Sequence, residues 1–195
     1  MAAFLFFKAP KEEKMKLKTL TKCAVLVALA AVLSYVKVYT LPNGGSITAA
    51  SMVPIIYAAM TCDFKSAMLT SLVYSVLQMV MGFYPPPTQN FVSFALVVLL
   101  DYVVAFGGLG LAGVIAKPFK NRVFGAGFAT VFVCFIRFLC HFASGILIWD
   151  SYAPEGMPVW QYSLGYNGGY MLAEAIISTI VICLLVKKIA PKENK

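Results

Sequence analysis

Residues 91–116 read FVSFALVVLLDYVVAFGGLGLAGVIA, and Asp101 is the only charged side chain among them. A run of about 20 predominantly apolar residues is long enough to cross the hydrocarbon core of a bilayer as a helix. Similar runs recur at 20–39, 47–62, 67–83, 123–148 and 168–186. The sequence therefore predicts an all-α integral membrane protein, a bundle of six transmembrane helices. The run at 47–62 is short, so we expect it to be tilted or partly re-entrant.

The composition excludes several other classes of protein. The chain has 195 residues, of which 61% are hydrophobic and 12% are charged, whereas a soluble domain is about 45–50% apolar and about 25% charged. The net charge of +8 does not indicate a nucleic-acid binder, because the Lys and Arg residues flank the apolar runs instead of forming a patch on a soluble face. The five cysteines form no CxxC pair, and we interpret them as small apolar packing residues.

The basic residues predict the topology. With six spans, one side of the membrane holds fourteen of the sixteen Lys and Arg residues, and the loops on the other side hold none. The positive-inside rule places the basic side, and with it both termini, in the cytoplasm. The predicted organisation is a basic cytoplasmic segment at 1–19, a single membrane domain at 20–188 and a cytoplasmic tail at 189–195.

Several ionisable side chains lie inside or beside the apolar runs, and three of them are Asp101, Arg137 and Glu174. Ionisable groups at such depth are costly, so they usually face a protein interior or a watery cavity and carry function. The structural alternative is an ion pair of Arg137 with one of the two carboxylates. Lys37, near the outer end of the first run, is expected to extend its ammonium group to the interface.

The strongest candidates for ligand binding cluster around the end of the fifth run. Arg137, His141 and Ser144 share one helical face that leads towards Trp149. Both Trp residues and four Tyr residues fall within 149–170, next to two carboxylates. Such a set offers stacking faces and a counter-charge to a flat cationic ligand, although an interfacial aromatic belt is an alternative. No second His or Cys stands at ligand spacing, so no metal site is expected.

Catalysis has little support in the sequence, which lacks HExxH, GxSxG and Walker A motifs. An intramembrane enzyme that uses His141 with Asp101 as acid and base is kept as an alternative, although no nucleophile is evident. The GLGLAG stretch at 108–113 matches GxGxxG, but it lies inside an apolar run and is interpreted as small residues that let helices approach closely. Ala24 and Ala28 form a similar strip, which faces either the bundle or a partner subunit.

Four stretches carry a resemblance to a known family. They are AVLVALAAVLS at 24–34, LPNGGSITAASMVPI at 41–55, LLDYVVAFGGLGLAG at 99–113 and HFASGILIWDSYAPEGMPVWQYSLGYNGGYMLAEAII at 141–177. In these stretches the chain resembles the thiamine-specific S components, which are the substrate-capture subunits of energy-coupling factor vitamin importers. The last stretch is long and unusual in composition, which makes the resemblance specific.

The resemblance implies a six-helix protein, embedded in membrane lipid, that binds thiamine near the outer face. It also implies assembly with a transmembrane coupling subunit and two cytoplasmic ATPase subunits. Those partners would use the ATP, and the chain itself would need no cofactor. The matching positions imply a ligand site made of Asp101, Tyr102, Arg137, His141, Trp149, Tyr162 and Asn167, and a partner interface that includes Ala24 and Ala28.

Individual roles follow from the same resemblance and from the chemistry of thiamine, whose thiazolium ring is permanently positive. Asp101 is expected to supply the counter-charge and Trp149 a π face, while Tyr162 and Asn167 read the second ring. The chain departs from some relatives, which carry a Trp and a Glu in the segment that here spans 44–49, and Asp101 stands where a Glu is common. A related ligand such as hydroxymethylpyrimidine, bound by the same architecture, is an alternative.

Overall fold

A computed structural model describes the backbone of residues 11–189 and the side chains of residues 17–188. The elements are α1 (Lys11–Tyr35), β1 (Lys37–Thr40), β2 (Ser46–Thr48), α2 (Val53–Thr61), α3 (Phe64–Gly82), α4 (Phe91–Ala116), α5 (Arg122–Leu147) and α6 (Val159–Ile189). Residues 1–10 and 190–195 lie outside the described residues. The predicted terminal segments at 1–19 and 189–195 therefore stay predictions.

Within the described residues, five helices are long and apolar enough to cross a membrane, namely α1, α3, α4, α5 and α6. Their outward faces are apolar as well, because Phe91, Val80 and Leu184 are between 62% and 84% exposed. A contiguous apolar surface of this kind is unsuited to water and suited to lipid. The prediction of a helical membrane protein is confirmed.

The predicted span at 47–62 is wrong in its form. Residues 37–48 make an antiparallel hairpin in which Lys37 pairs with Thr48 and Thr40 with Ser46. The chain then turns through Ala50, whose φ is 62°, before it enters the nine residues of α2. Such a helix is about 14 Å long, which is less than half of a hydrocarbon core of about 30 Å. The all-α class therefore includes a small two-stranded hairpin.

The bundle has two chemically different ends. The hairpin, which is residues 37–48, lies at the end that we call the hairpin end, where it contacts the first part of α6 through Tyr166. At the opposite end, which we call the basic end, the Cys23 and Cys62 thiols are 3.6 Å apart. A second cavity at the basic end is lined by Cys62, Lys117 and Val186. Because α1 and α6 both reach the basic end, the described chain starts and finishes on the same side of the bundle.

Small residues let α4 pack closely against α2 and α3. A Cβ atom on Gly113 would lie 2.0 Å from the backbone oxygen of Ala59, and one on Gly110 would lie 2.6 Å from Ser71 Oγ. Neither position has room for a side chain. The interpretation of the GLGLAG stretch as a helix-contact surface is confirmed.

We expect Gly113→Ala to destabilise the bundle, because the new methyl group meets backbone that cannot rotate away. Overpacking of this kind costs about 1–3 kcal/mol, which thermal unfolding in detergent would report as a lower midpoint. Gly165→Ala is the matched control, since nothing lies within 4 Å of a Cβ at that position. Equal midpoints for the two variants would contradict the close approach of α2 and α4.

Candidate ligand-binding site

A cavity of about 450 Å³ opens at the hairpin end, and the hairpin, α3, α4, α5 and α6 all contribute to its wall. Cavities that hold small-molecule ligands are about 300–1,000 Å³. The structure brings together all seven residues of the site expected from the sequence: Asp101, Tyr102, Arg137, His141, Trp149, Tyr162 and Asn167 line this cavity. Their contacts with a ligand stay predictions.

The carboxylate of Asp101 is within hydrogen-bond distance of three side chains of the cavity region. Its Oδ1 lies 2.9 Å from His141 Nδ1, and its Oδ2 accepts a hydrogen bond from Ser144 Oγ at 2.6 Å. Trp149 Nε1 lies 3.2 Å from Oδ2 and 3.0 Å from Ser144 Oγ, so its one hydrogen is shared between these two acceptors. The side chain projects from a π-helical stretch of α4, Val97–Val104, a distortion that is common at functional sites. The carboxylate is thus held in place by His141 and Ser144 of α5 and by Trp149, which lies just beyond the end of that helix.

The contacts of His141 define which nitrogen carries the proton. Arg137 Nε lies 3.3 Å from His141 Nε2, and a guanidinium group can only donate. His141 Nε2 is therefore the acceptor, so Nδ1 carries the hydrogen that points to Asp101. The three side chains form a directed chain of donors from Arg137 through a neutral imidazole to the carboxylate.

Arg137 is not paired directly with a carboxylate. Among the described residues the one contact between a basic side chain and a carboxylate is the hydrogen bond from the neutral His141 to Asp101. The expected alternative of an ion pair of Arg137 with Asp101 or Glu174 is therefore wrong. The guanidinium carbon of Arg137 lies 4.2 Å from the centre of the Phe106 ring, which gives it a cation–π contact. Its positive charge stays in the wall of the cavity.

An aromatic wall surrounds Trp149. The indole ring is stacked on Tyr152, with ring centres 5.8 Å apart and planes 11° apart, and is tilted against Tyr84 at 5.4 Å. A hydrogen bond with the neighbouring phenol of Tyr84 raises the pKa of Tyr152 above its usual value. Trp160, in contrast, is 55% exposed and lies outside the cavity lining, so it fits the interfacial belt.

A face of α6 joins the cavity to the hairpin. Tyr162, Tyr166, Tyr170 and Glu174 follow one another at intervals of four residues and therefore lie along one side of the helix. The Tyr166 hydroxyl accepts a hydrogen bond from Gly45 N at 2.9 Å and donates one to Pro42 O. A Cβ atom on Gly45 would lie 2.8 Å from that hydroxyl. The hairpin tip is thus fitted to α6 at a position where a side chain would not fit.

Asn167 and Tyr102 line the cavity, but protein groups already occupy most of their polar atoms. Asn167 Nδ2 donates to His141 O at 3.2 Å and to Ser163 Oγ at 3.1 Å, while Oδ1 accepts from Tyr170 at 3.0 Å. Both amide hydrogens are used, which leaves one lone pair of Oδ1 for a ligand. The Tyr102 hydroxyl donates to Gly82 O and accepts from Tyr84 N, so it fastens the loop after α3.

Sequence reasoning missed several residues that line the cavity. Glu174 was recognised as an intramembrane carboxylate but was not assigned to the site, although its spacing from Tyr162 continues the same helical face. Tyr84 had no signal beyond its place in the YPPPTQN loop. Lys37, expected at the interface, is exposed on β1 and reaches the edge of the cavity.

Asp101→Asn should lower the stability of the protein, because the amide nitrogen would face hydrogen-bond donors in place of one carboxylate oxygen. A buried donor that loses its partner costs about 1–3 kcal/mol, which thermal unfolding in detergent would detect. Asp150→Asn is the control, since Asp150 is exposed and bonds only the backbone nitrogen of Ser151. If Asp101→Asn unfolds at the same midpoint as the control, then His141, Ser144 and Trp149 do not need the negative charge of Asp101 as their hydrogen-bond acceptor.

The long apolar helices define a multi-pass helical membrane protein, and an aromatic-walled cavity opens at one end of its bundle. A model of the family described as thiamine transporter protein matches residues 20–194. The chain therefore belongs to the thiamine transporter protein family. This is a family of transporters, so the expectation that the chain is not an enzyme is confirmed, and the acid–base alternative for His141 and Asp101 is excluded.

Individual relatives agree with the family match. The chain is 32% identical to the thiamine transporter ThiT of Bacillus subtilis strain 168 over 186 residues, which cover 89% of this chain and 92% of the relative. It is 26% identical to ThiT of Lacticaseibacillus paracasei strain ATCC 334, over 93% of this chain and 92% of the relative. A solved structure of ThiT from Listeria monocytogenes superposes with a TM-score of 0.72 at 24% identity, covering 90% and 96% of the two chains. That likeness shows the same fold.

Proposed function

We propose that this protein is the substrate-binding subunit of a thiamine importer and that it captures thiamine in the cavity at the hairpin end. The observation that carries the proposal is that the carboxylate of Asp101, only 15% exposed, lies 3.2 Å from the indole nitrogen of Trp149 in one cavity of ligand size. The family, and the thiamine transporters among its relatives, support thiamine as the ligand.

The charges in the cavity wall favour a ligand with one positive charge. Asp101 and Glu174 each contribute a formal negative charge and Arg137 a positive one, while the imidazole of His141 is neutral; the three groups leave one negative charge. Lys37 lies at the exposed edge, where solvent and salt screen its charge. An uncompensated charge away from water is costly, and a thiazolium cation would balance this one.

The hydrogen bonds of Asp101 define how it would act on the ligand. Three protein donors already occupy its oxygens, so its contribution is that of a counter-charge at a fixed position more than that of a hydrogen-bond acceptor. The thiazolium ring would lie against Trp149 and the neighbouring tyrosine rings, where cation–π attraction adds to the Coulomb term.

We expect thiamine to bind the purified wild-type protein and Trp149→Ala to weaken that binding by about tenfold or more, equivalent to about 1.4 kcal/mol. The reason is the loss of the π face and of the indole hydrogen bond to Asp101. Isothermal titration in detergent measures the effect, and Trp160→Ala is the matched control because that indole lies outside the cavity.

The same titration separates thiamine from the alternative ligand. Hydroxymethylpyrimidine has no permanent charge, so it should bind more weakly than thiamine to a cavity that carries a net negative charge. Tighter binding of hydroxymethylpyrimidine than of thiamine would replace thiamine as the physiological ligand and would remove the role given to Asp101.

We further propose that uptake is driven by other chains: a transmembrane coupling subunit and two cytoplasmic ATPases. The chain contains no Walker A motif, so it cannot hydrolyse ATP through a P-loop. In this arrangement the hairpin end faces outwards, and the basic end, with both termini, faces the cytoplasm. Six membrane crossings are needed, of which the second consists of β2 and α2.

The exposed strip on α1 is suited to contact with the coupling subunit. Ala24 and Ala28 are both exposed and stand one helical turn apart, so they make a flat stripe on which a second helix can approach closely. The neighbouring Ala30 is fully buried and packs inside the bundle, which distinguishes the two faces of α1.

Ala28→Leu should leave thiamine affinity unchanged while it reduces thiamine uptake and co-purification with the coupling subunit, because the longer side chain holds the partner helix away. Both quantities can be measured in cells that express all the subunits. Leu29→Phe, an enlargement at an exposed α1 position about 100° around the helix from Ala28, serves as the control. Normal uptake by Ala28→Leu would remove the stripe from the interface.

A further inference from the structure

Glu174 is a buried carboxylate, and hydrogen-bond donors in the described part of the chain contact only one of its two oxygens. The side chain is 2% exposed and lines the cavity. Its Oε1 accepts hydrogen bonds from the backbone nitrogen and the hydroxyl of Thr48, at 2.5 and 2.7 Å. Its Oε2 is buried and has no hydrogen-bond partner among the described residues. A buried carboxylate oxygen without a partner is costly, whether or not the group is ionised.

The other carboxylate of the cavity differs in this respect. Both oxygens of Asp101 accept hydrogen bonds from protein donors, so the carboxylate oxygen of the wall that lacks a donor is Oε2 of Glu174. Its position is fixed, because Thr48 ends β2 and holds the opposite oxygen through two hydrogen bonds. A ligand donor that reaches this oxygen would find an acceptor whose position Thr48 already fixes.

Glu174 also lies away from the aromatic wall around Trp149, because of its position along α6. It follows Tyr162 by twelve residues, which corresponds to about 18 Å of helix, so it lies deeper in the bundle than the residues near the hairpin tip. A two-ring molecule whose charged ring stays beside Asp101 would extend its second ring towards this depth.

We propose that Oε2 of Glu174 accepts a hydrogen bond from the exocyclic amino group of the bound vitamin, so that Glu174 is a specificity-determining residue of the site. The proposal rests on the proposed function, since it takes thiamine as the ligand. Its selectivity follows from chemistry: a ligand with an N–H donor at that position satisfies the buried oxygen, whereas a ligand with an acceptor there faces it with like polarity. Discrimination that relies on buried polar groups is typically strong.

Glu174→Gln makes a sharp test because Thr48 dictates the orientation of the new amide. The backbone nitrogen of Thr48 can only donate, so the amide oxygen must take the place of Oε1. The NH₂ group then occupies the position of Oε2 and replaces an acceptor by a donor with little change of shape. The probes are thiamine and oxythiamine, in which an oxo group replaces the amino group.

We expect wild-type protein to bind thiamine at least about tenfold more tightly than oxythiamine, and Glu174→Gln to lose or reverse that preference. Glu155→Gln, a change to an exposed carboxylate outside the cavity lining, should keep the wild-type ratio.

Two results would reject the role of Glu174 while leaving the proposed function intact. One is equal loss of both ligands, or no loss of either, in Glu174→Gln. The other is an equal affinity of wild-type protein for both ligands, which needs no variant and therefore holds even if Glu174→Gln does not fold. Failure of wild-type protein to bind thiamine at all would instead reject the proposed function.

Discussion

The carboxylate of Asp101 is the group on which the arrangement of the hairpin end depends. A charge inside an apolar bundle persists only where donors replace its water, and here the donors come from His141, Ser144 and Trp149. Satisfying the charge therefore fixes α4 against α5 and sets the position of the indole ring. The cavity is bounded by the same side chains that make the burial of the charge tolerable.

The hairpin, like Asp101, has polar groups that need hydrogen-bond partners away from water. Its backbone is not helical, and it lies against a membrane domain. Irregular backbone at such depth is tolerated where protein groups bind it or where it lines a cavity. α6 supplies these groups at two levels, the Tyr166 hydroxyl at the hairpin tip and Glu174 at the end of β2. The wall of the cavity and the support of the hairpin are thus built from one face of one helix.

The sequence predicts the parts that follow from local rules. Spacing placed Arg137, His141 and Ser144 on one face, and the cost of a buried charge marked Asp101 and Glu174. It could not predict that 47–62 splits into a strand and a short helix, because a short apolar run is compatible with either form. The contacts of Glu174 with Thr48 and of Tyr166 with Gly45 join residues more than 120 positions apart, and no local pattern encodes them.

The two carboxylates of the cavity show how one fold divides the tasks of attraction and discrimination. Both oxygens of Asp101 already have protein donors, so in the proposed site Asp101 would act mainly through its charge, which falls off slowly with distance and tolerates small shifts of a ligand. Glu174 keeps one oxygen free, and a hydrogen bond demands close distance and direction. A charge alone would hold any flat cation. In the proposed site, the unpartnered oxygen of Glu174 would restrict the cavity to a cation with a donor at the correct distance from its charge.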